Sequence, residues 1–205
     1  MSKISHSRSF RWRGAVGELL FFPAAVAVVF STPVAAEGSL GDMAFDAGGW
    51  LFLVLYATLR LWATLYVGGR KDRVLQTEGI YSATRNPLYV GSACLAVSVA
   101  LFFQSLLLLV VSLVLLVFYS TAVVRREEEV LRQLFGEAFE EYARQTPRFF
   151  PSFSRYRRPK EVLVNLDAMR REALRLWGAA TLPIAAELVA ILRDRPDWPH
   201  WFKLP

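Results

Sequence analysis

The longest apolar stretch, residues 88–124, limits the possible folds more than any other feature of the chain. It is about twice the ~20 residues that a helix needs to cross a bilayer. Near its middle, Gln104 and Ser105 interrupt the apolar residues with two polar side chains. The stretch therefore predicts two membrane-spanning helices, 88–103 and 105–124, that are joined by a tight hairpin.

Three further apolar segments, 14–36, 48–67 and 176–192, have the composition of membrane helices. Hydrophobic residues make up 54% of the chain and charged residues 20%, which is more apolar than an ordinary soluble domain. We therefore expect an all-α integral membrane protein with about five transmembrane helices, forming a single domain over residues 1–205.

Two of these segments leave an alternative open. Segment 14–36 follows a basic start and ends near Val34-Ala35-Ala36, as a cleaved secretory signal would. Glu18 and Pro23 interrupt its apolar core, which favours a retained span. Segment 176–192 contains Pro183 and Glu187, so it either crosses the membrane or lies in the interface.

The distribution of charge predicts the orientation in the membrane. Residues 1–13 and 68–88 each carry four basic residues, whereas residues 37–47 carry three acids and no base. Because basic loops stay on the cytoplasmic side, the N-terminus and loop 68–88 should be cytoplasmic, in a bacterial inner (plasma) membrane. The net charge of +6 and pI near 9.8 accompany no nucleic-acid motif, so the expected partner is the membrane and not a nucleic acid.

Two polar, turn-rich blocks flank the hairpin, at 79–91 and 125–151. Since both ends of a hairpin return to the same side, these blocks should lie side by side and form one cytoplasmic site. Residues 125–145 read as an amphipathic helix that Thr146-Pro147 should end. Residues 148–160 mix basic and aromatic side chains, which suits the lipid headgroup layer, and residues 161–175 look like a further amphipathic helix.

The residue types in these blocks allow two interpretations each. Glu127 and Glu128 could hold a cationic ligand, or belong to the solvated first turn of a charged helix. Tyr81 and Tyr89 could line a site or anchor the chain at the interface. Residues 86–87 could serve the site or only start the hairpin.

A metal site is not predicted. His6 and His200 lie near the two ends of the chain, far from both polar blocks. Cys94 is the single cysteine and stands among small and apolar residues, so it is expected to be a packing residue.

The pattern Gly79-x-Tyr81…Arg85-Asn86-Pro87-x-Tyr89-x-Gly91 resembles the Gly-x-Tyr…Arg-His-Pro-x-Tyr-x-Gly motif of the isoprenylcysteine carboxyl methyltransferase family. Glu127-Glu128-Glu129-x-Leu131…Phe135-Gly136…Tyr142…Arg148…Pro151 is similar to the second motif of that family. The first motif is equally similar to the related phosphatidylethanolamine N-methyltransferases. The resemblance covers roughly residues 48–151.

The resemblance implies S-adenosylmethionine as cofactor and a lipid-like or isoprenylated acceptor that presents a carboxylate or an amine. It implies the cofactor-binding residues Tyr81, Arg85, Asn86, Pro87, Leu88, Tyr89, Gly91, Glu127, Glu128, Tyr142 and Arg148. The implied catalytic residues are Glu127 and Arg126, with Glu127 as the base if the acceptor is an amine. Asn86 stands where the family has His, which excludes a histidine proton relay.

Two other functions remain as alternatives. Sterol reductases, which use NADPH, have a similar Arg-His-Pro-x-Tyr segment in a similar helical setting. The run of acids at 127–129 argues against that reading, because carboxylates repel the phosphates of NADPH. The second alternative is a non-catalytic membrane protein on the same scaffold.

Overall fold

The computed structural model describes residues 22–68 and 73–202, and over these residues it is all-helical, with one isolated β-bridge between Ser31 and Phe202 and no strand. The elements are α1 (22–29), α2 (Leu40–Val67), α3 (Ile80–Ala83), α4 (Pro87–Phe102), α5 (Leu106–Tyr119), a π-helical turn (Ser120–Val124), α6 (Arg125–Phe135), α7 (Glu137–Gln145), α8 (Leu166–Ala180) and α9 (Leu182–Arg193).

The predicted all-α membrane fold is confirmed. In the described part of the chain, three helical segments are long and apolar enough to cross a bilayer: Leu40–Val67, Leu106–Phe135 and Leu166–Arg193. The shorter Pro87–Phe102 is also apolar. The predicted span 14–36 falls partly outside the described residues, and its described part is helical only over 22–29.

The predicted hairpin is confirmed at the expected residues. Helix α4 ends at Phe102, and Gln104 adopts a positive φ of 49° that turns the chain. Ser105 then caps α5, because its Oγ accepts a hydrogen bond from the Leu108 N–H at 3.3 Å. The side chain of Gln104 is buried and donates to Asp42 Oδ1 at 2.7 Å, so the turn is held against the start of α2.

Helix α2 is longer than predicted. It begins at Leu40 and not at residue 48, because Ser39 caps it by accepting a hydrogen bond from the Asp42 N–H at 3.2 Å. Most of the acidic segment 37–47, which lies between two of the predicted spans, is therefore the first two turns of a helix.

Helix α2 packs closely on α4. Ser98 Oγ donates to the Gly49 carbonyl at 2.8 Å, and a side chain at position 49 would meet the Phe102 ring at 2.7 Å. Cys94 is partly buried in this packing, as predicted.

The predicted helix 125–145 is in fact two helices. Gly136 has a φ of +51° and separates α6 from α7. At its other end α6 continues from α5 through the π-helical turn, so Leu106–Phe135 runs as one helical segment of 30 residues. Thr146 ends α7, as predicted.

The C-terminal helical segment also differs from the prediction. Asn165 caps α8 by accepting from the Ala168 N–H at 2.8 Å, so residues 161–165 precede the helix. Thr181 keeps helical backbone angles between α8 and α9, and the predicted span 176–192 is the second part of one helical segment of 28 residues. This segment runs antiparallel to α2.

The two polar blocks lie together at one end of the bundle, beyond the last turn of α2. The α4–α5 hairpin and the end of α9 lie at the other end, where Arg193 donates to the Phe103 carbonyl at 3.3 Å. At about 1.5 Å per residue, the 28 residues of α2 separate the two ends by roughly 40 Å.

Candidate active site

The two polar blocks lie side by side, as predicted from the hairpin. Three backbone hydrogen bonds of 2.8, 2.9 and 2.9 Å join their segments, from the N–H groups of Gly79, Arg85 and Ser152 to the carbonyl oxygens of Arg157, Pro147 and Ala83. Tyr142 adds a side-chain contact, because its hydroxyl donates to the Tyr81 carbonyl at 2.7 Å. Residues 79–86 are therefore fixed against α7 and the chain that follows it.

The start of α4 is built by Asn86 and Pro87. Pro87 occupies the first turn, where a helix needs no proline N–H and the fixed φ of the ring suits the helix. The side chain of Asn86 donates from Nδ2 to the Arg148 carbonyl at 3.1 Å. These two residues thus start the hairpin and also connect it to the second block.

The acids of α6 have different environments. Glu128 is 7% exposed, and Arg148 donates to both of its oxygens, from Nε to Oε1 at 3.1 Å and from Nη2 to Oε2. Arg85 lies on the other side, with its Nη2 at 3.5 Å from Oε1. Glu129, in contrast, is solvent-exposed and pairs with Arg132 at 2.9 Å. The interpretation of these acids as part of a solvated helix turn therefore holds for Glu129 and does not hold for Glu128.

A cavity opens between the two blocks. The space between its walls is about 790 Å³, counting the open mouth and the solvent in it. Nine predicted site residues line it, namely Tyr81, Arg85, Asn86, Pro87, Leu88, Tyr89, Glu127, Glu128 and Tyr142.

Three predicted site residues lie elsewhere. Gly91 is buried in α4, where a side chain would meet the aliphatic part of Arg60 at 3.2 Å. Arg126 is exposed on α6 and does not line the cavity. Arg148 stands behind the cavity wall, paired with Glu128.

The sequence reading missed most of the apolar wall of the cavity, which consists of Val67, Val74, Leu75, Leu131 and Phe139. Two signals could have found part of it. Val74 and Leu75 are apolar neighbours in an otherwise polar loop. Leu131 follows Glu127 by four residues, so the two side chains lie on the same face of α6.

Two tyrosines of the site are kept neutral by burial, and one arginine has a donor without a partner among the described residues. Burial raises the pKa of Tyr81 and of Tyr142 well above the ordinary value of 10.0, so both phenols stay neutral at physiological pH. Arg85 donates from Nη1 to the Ala143 carbonyl at 3.2 Å. Its buried Nε has no hydrogen-bond partner among residues 22–68 and 73–202.

Comparison with known proteins supports a methyltransferase scaffold. The phospholipid methyltransferase family model matches residues 37–138, about half of the 205 residues. Residues 37–138 place the chain in the phospholipid methyltransferase family. This family lies within the isoprenylcysteine/phospholipid methyltransferase superfamily that the motifs indicated, and it supports membrane methyltransferase activity in general terms.

Two curated relatives carry names of a different kind. The chain is 29% identical to the nickel-cobalt-cadmium resistance protein NccN of Alcaligenes xylosoxydans xylosoxydans over 157 residues, which cover 77% of this chain and 73% of that protein. It is 37% identical to the cobalt-zinc-cadmium resistance protein CzcN of Cupriavidus metallidurans over 123 residues. That match covers 60% of this chain and only 56% of CzcN. No solved structure matches the chain significantly.

Proposed function

We propose that the protein transfers a methyl group from S-adenosylmethionine to a lipid-like or isoprenylated acceptor, at the cytoplasmic interface of a bacterial inner membrane. The supporting observation is that Arg85, Tyr89 and Glu127 line the same cavity in a chain of this family. The methylated group of the acceptor is a carboxylate or an amine.

The donor set of the cavity fits S-adenosylmethionine. The amino-acid end of this cofactor has an ammonium, which the cavity-lining carboxylate of Glu127 suits by charge, and a carboxylate, for which the unpartnered Nε of Arg85 is a donor. The aromatic side chain of Tyr89 offers a face for the adenine or the sulfonium. When bound, the cofactor supplies a methyl carbon on a positively charged sulfur.

We assign different roles to the two neighbouring glutamates. Both oxygens of Glu128 are already bound by Arg148, and Arg85 is close to one of them, so Glu128 holds Arg85 in place for the ligand. Glu127 is the carboxylate that contacts the cofactor, and with an amine acceptor it takes the proton that the nitrogen loses. Arg126 is exposed one residue earlier and does not line the cavity, so it has no role in this proposal.

The acceptor binds through the apolar part of the cavity. Val67 at the end of α2, Val74, Leu75 and Leu131 present only hydrocarbon to it. A chain of methylene or isoprenyl groups gains about 0.8 kcal/mol for each CH₂ that these side chains remove from water. We therefore infer that the acceptor enters from the bilayer and presents its reactive head to Glu127.

Exchanging Glu127 for glutamine should weaken the binding of S-adenosylmethionine about 10- to 100-fold. The change removes one charge-assisted contact, which is worth about 1.5–3 kcal/mol, and keeps the shape of the side chain. Calorimetric titration of the protein in lipid nanodiscs measures the effect, first with S-adenosylmethionine and then with NADPH.

Glu129→Gln is the matched control. It makes the same change two residues away on the same helix, at an exposed side chain outside the cavity. Its affinity for the cofactor should equal that of the unchanged protein. Equal loss of affinity in both variants would show that Glu127 does not contact the cofactor. Binding of NADPH but not of S-adenosylmethionine would contradict the methyltransferase proposal and favour the reductase.

The names of the two relatives favour a second role, in tolerance of divalent metals. We propose that the methylated product supports this tolerance. A host strain that lacks the gene should grow poorly with added cobalt, zinc, cadmium or nickel, and the intact gene should restore growth. A gene with Glu127→Gln should fail to restore it while Glu129→Gln succeeds; rescue by both variants would separate metal tolerance from methyl transfer.

A further inference from the structure

A basic strap follows α7 and has a composition unlike the rest of the chain. We use this name for residues 147–160, which contain five basic side chains, no acid and no helix. Arg148 is the only one of the five that forms an ion pair within the described part of the protein. The four others, Arg155, Arg157, Arg158 and Lys160, carry charge that no carboxylate of the described residues neutralises.

The strap also presents aromatic side chains to the surroundings. Phe150 is 90% exposed and Phe153 is 56% exposed. Phe153 contacts Tyr156 at 6.2 Å between ring centroids, and Tyr156 contacts Trp62 of α2 at 6.0 Å. Trp62 stands five residues before the end of α2, so the strap lies at the level where this helix reaches the membrane surface. Exposed rings beside cations at that level are typical of the headgroup layer.

A polar hollow of about 480 Å³, including its open mouth, lies under the strap. Arg155 and Arg157 line it together with the hydroxyl side chains of Thr77, Ser82 and Thr146. Glu141 also lines it, but this carboxylate is already engaged by Arg144 and Gln145. The hollow is distinct from the candidate active site, with which it shares only Tyr142.

We propose that the basic strap is a docking surface for the headgroup layer of an anionic bilayer, with a lipid phosphate held in the hollow by Arg155 and Arg157. The guanidinium groups of Arg155 and Arg157 and the hydroxyls of Thr77 and Thr146 are donors of the kind that phosphate oxygens prefer. Arg157 gives one of its donors, Nη2, to Gln145 Oε1 at 2.7 Å, and the Ser82 hydroxyl donates to the Gly79 carbonyl. The anionic lipid is a ligand and not the methyl acceptor. The proposal holds whichever small molecule the other cavity binds.

Lipid docking should also affect the first motif, because the strap is bonded to it. The Arg157 carbonyl accepts from the Gly79 N–H at 2.8 Å, and the Arg157 N–H donates to Ser82 Oγ at 2.9 Å. Thr84 donates from Oγ1 to the carbonyl oxygens of Arg148 and Phe149, at 3.2 and 3.1 Å. Ordering the strap on lipid therefore orders residues 79–84, next to the cavity.

Hydrogen–deuterium exchange of the full chain in nanodiscs tests the proposal without any activity assay. One set of nanodiscs contains only phosphatidylcholine, and the other contains added phosphatidylglycerol. Because each basic residue near an anionic surface contributes about a fivefold preference, exchange of residues 148–160 should slow about tenfold or more with phosphatidylglycerol. Residues 79–84 should slow in parallel.

The double variant Arg155→Gln and Arg157→Gln should lose this lipid dependence while keeping its melting temperature. Arg170→Gln with Arg171→Gln removes the same charge from exposed positions of α8, outside the hollow, and should keep it. Equal exchange in both lipids, or equal loss in both double variants, would overturn the proposal. So would full protection by inorganic phosphate in phosphatidylcholine nanodiscs, since the ligand would then be free phosphate.

Discussion

Replacing Glu172 with alanine should destabilise the folded protein by about 3–5 kcal/mol, because it leaves a largely buried guanidinium without its carboxylate. Arg60 of α2 donates to Glu172 of α8 through two parallel bonds, from Nε to Oε1 at 2.5 Å and from Nη2 to Oε2 at 2.8 Å. The two side chains are 16% and 3% exposed. Arg175 adds a third contact at 3.0 Å, but its side chain is largely exposed and contributes little.

The expected loss of stability comes from the Arg60 charge, which stays in the protein interior without a partner, and not mainly from the loss of the attraction between the two side chains. Changing both partners to methionine, which keeps the aliphatic stem of Arg60 against Gly91, should therefore recover most of the stability. Glu187→Ala is the control, because Glu187 is an exposed glutamate further along the same helical segment. Thermal and denaturant unfolding in mild detergent measure the stability of the unchanged protein, the Glu172→Ala protein, the double methionine variant and the Glu187→Ala protein. A Glu172→Ala protein as stable as the Glu187→Ala protein would show that water reaches Arg60.

The topology around the hairpin could be predicted from a few local signals. The apolar run 88–124 is too long for one span, and the Gln104-Ser105 pair interrupts it near its middle. Together they predict a helical hairpin, and the two ends of a hairpin, which carry the motifs 79–91 and 125–151, lie at the same end of the bundle. Nine of the predicted site residues line one cavity for the same reason, since a hairpin of fixed length sets which side its ends reach.

Helix boundaries were predicted less well, because they depend on single residues. One hydroxyl at Ser39 starts α2 eight residues before its expected beginning, and one amide at Asn165 delays α8. Gly136 separates two helices whose apolar pattern runs through the break. Hydrophobic periodicity averages over several turns and does not resolve such points.

The roles of individual charges depended on contacts that are distant in sequence. In the sequence Arg60 is a single charged residue within an apolar segment, and its partner Glu172 lies 112 residues away. Glu127, Glu128 and Glu129 are equivalent in the sequence. The difference between Glu128 and Glu129 comes from Arg148, which the fold brings to one of them and not to the other.

The second large effect is expected at Gly79, where alanine should cost about 3 kcal/mol of stability and disturb the candidate active site. Its backbone angles are φ 59° and ψ −137°, a region that strains any residue with a side chain by about 1–3 kcal/mol. An alanine Cβ would also lie 2.1 Å from Cζ of Tyr66. Because Tyr66 is buried, its ring has little room to move, and overpacking adds about 1–3 kcal/mol.

Gly136→Ala separates the two causes. Gly136 has nearly the same backbone conformation, with φ 51° and ψ −126°, but nothing lies within 4 Å of the position of its Cβ. This variant should therefore show the backbone strain alone, and the difference between the two unfolding free energies should measure the clash with Tyr66. In Gly79→Ala the N–H bond to the Arg157 carbonyl should also weaken, so affinity for S-adenosylmethionine should fall only in that variant. Equal destabilisation of both variants would mean that the Tyr66 ring moves aside freely, and the close packing of this ring on the first motif would then not hold the site in place.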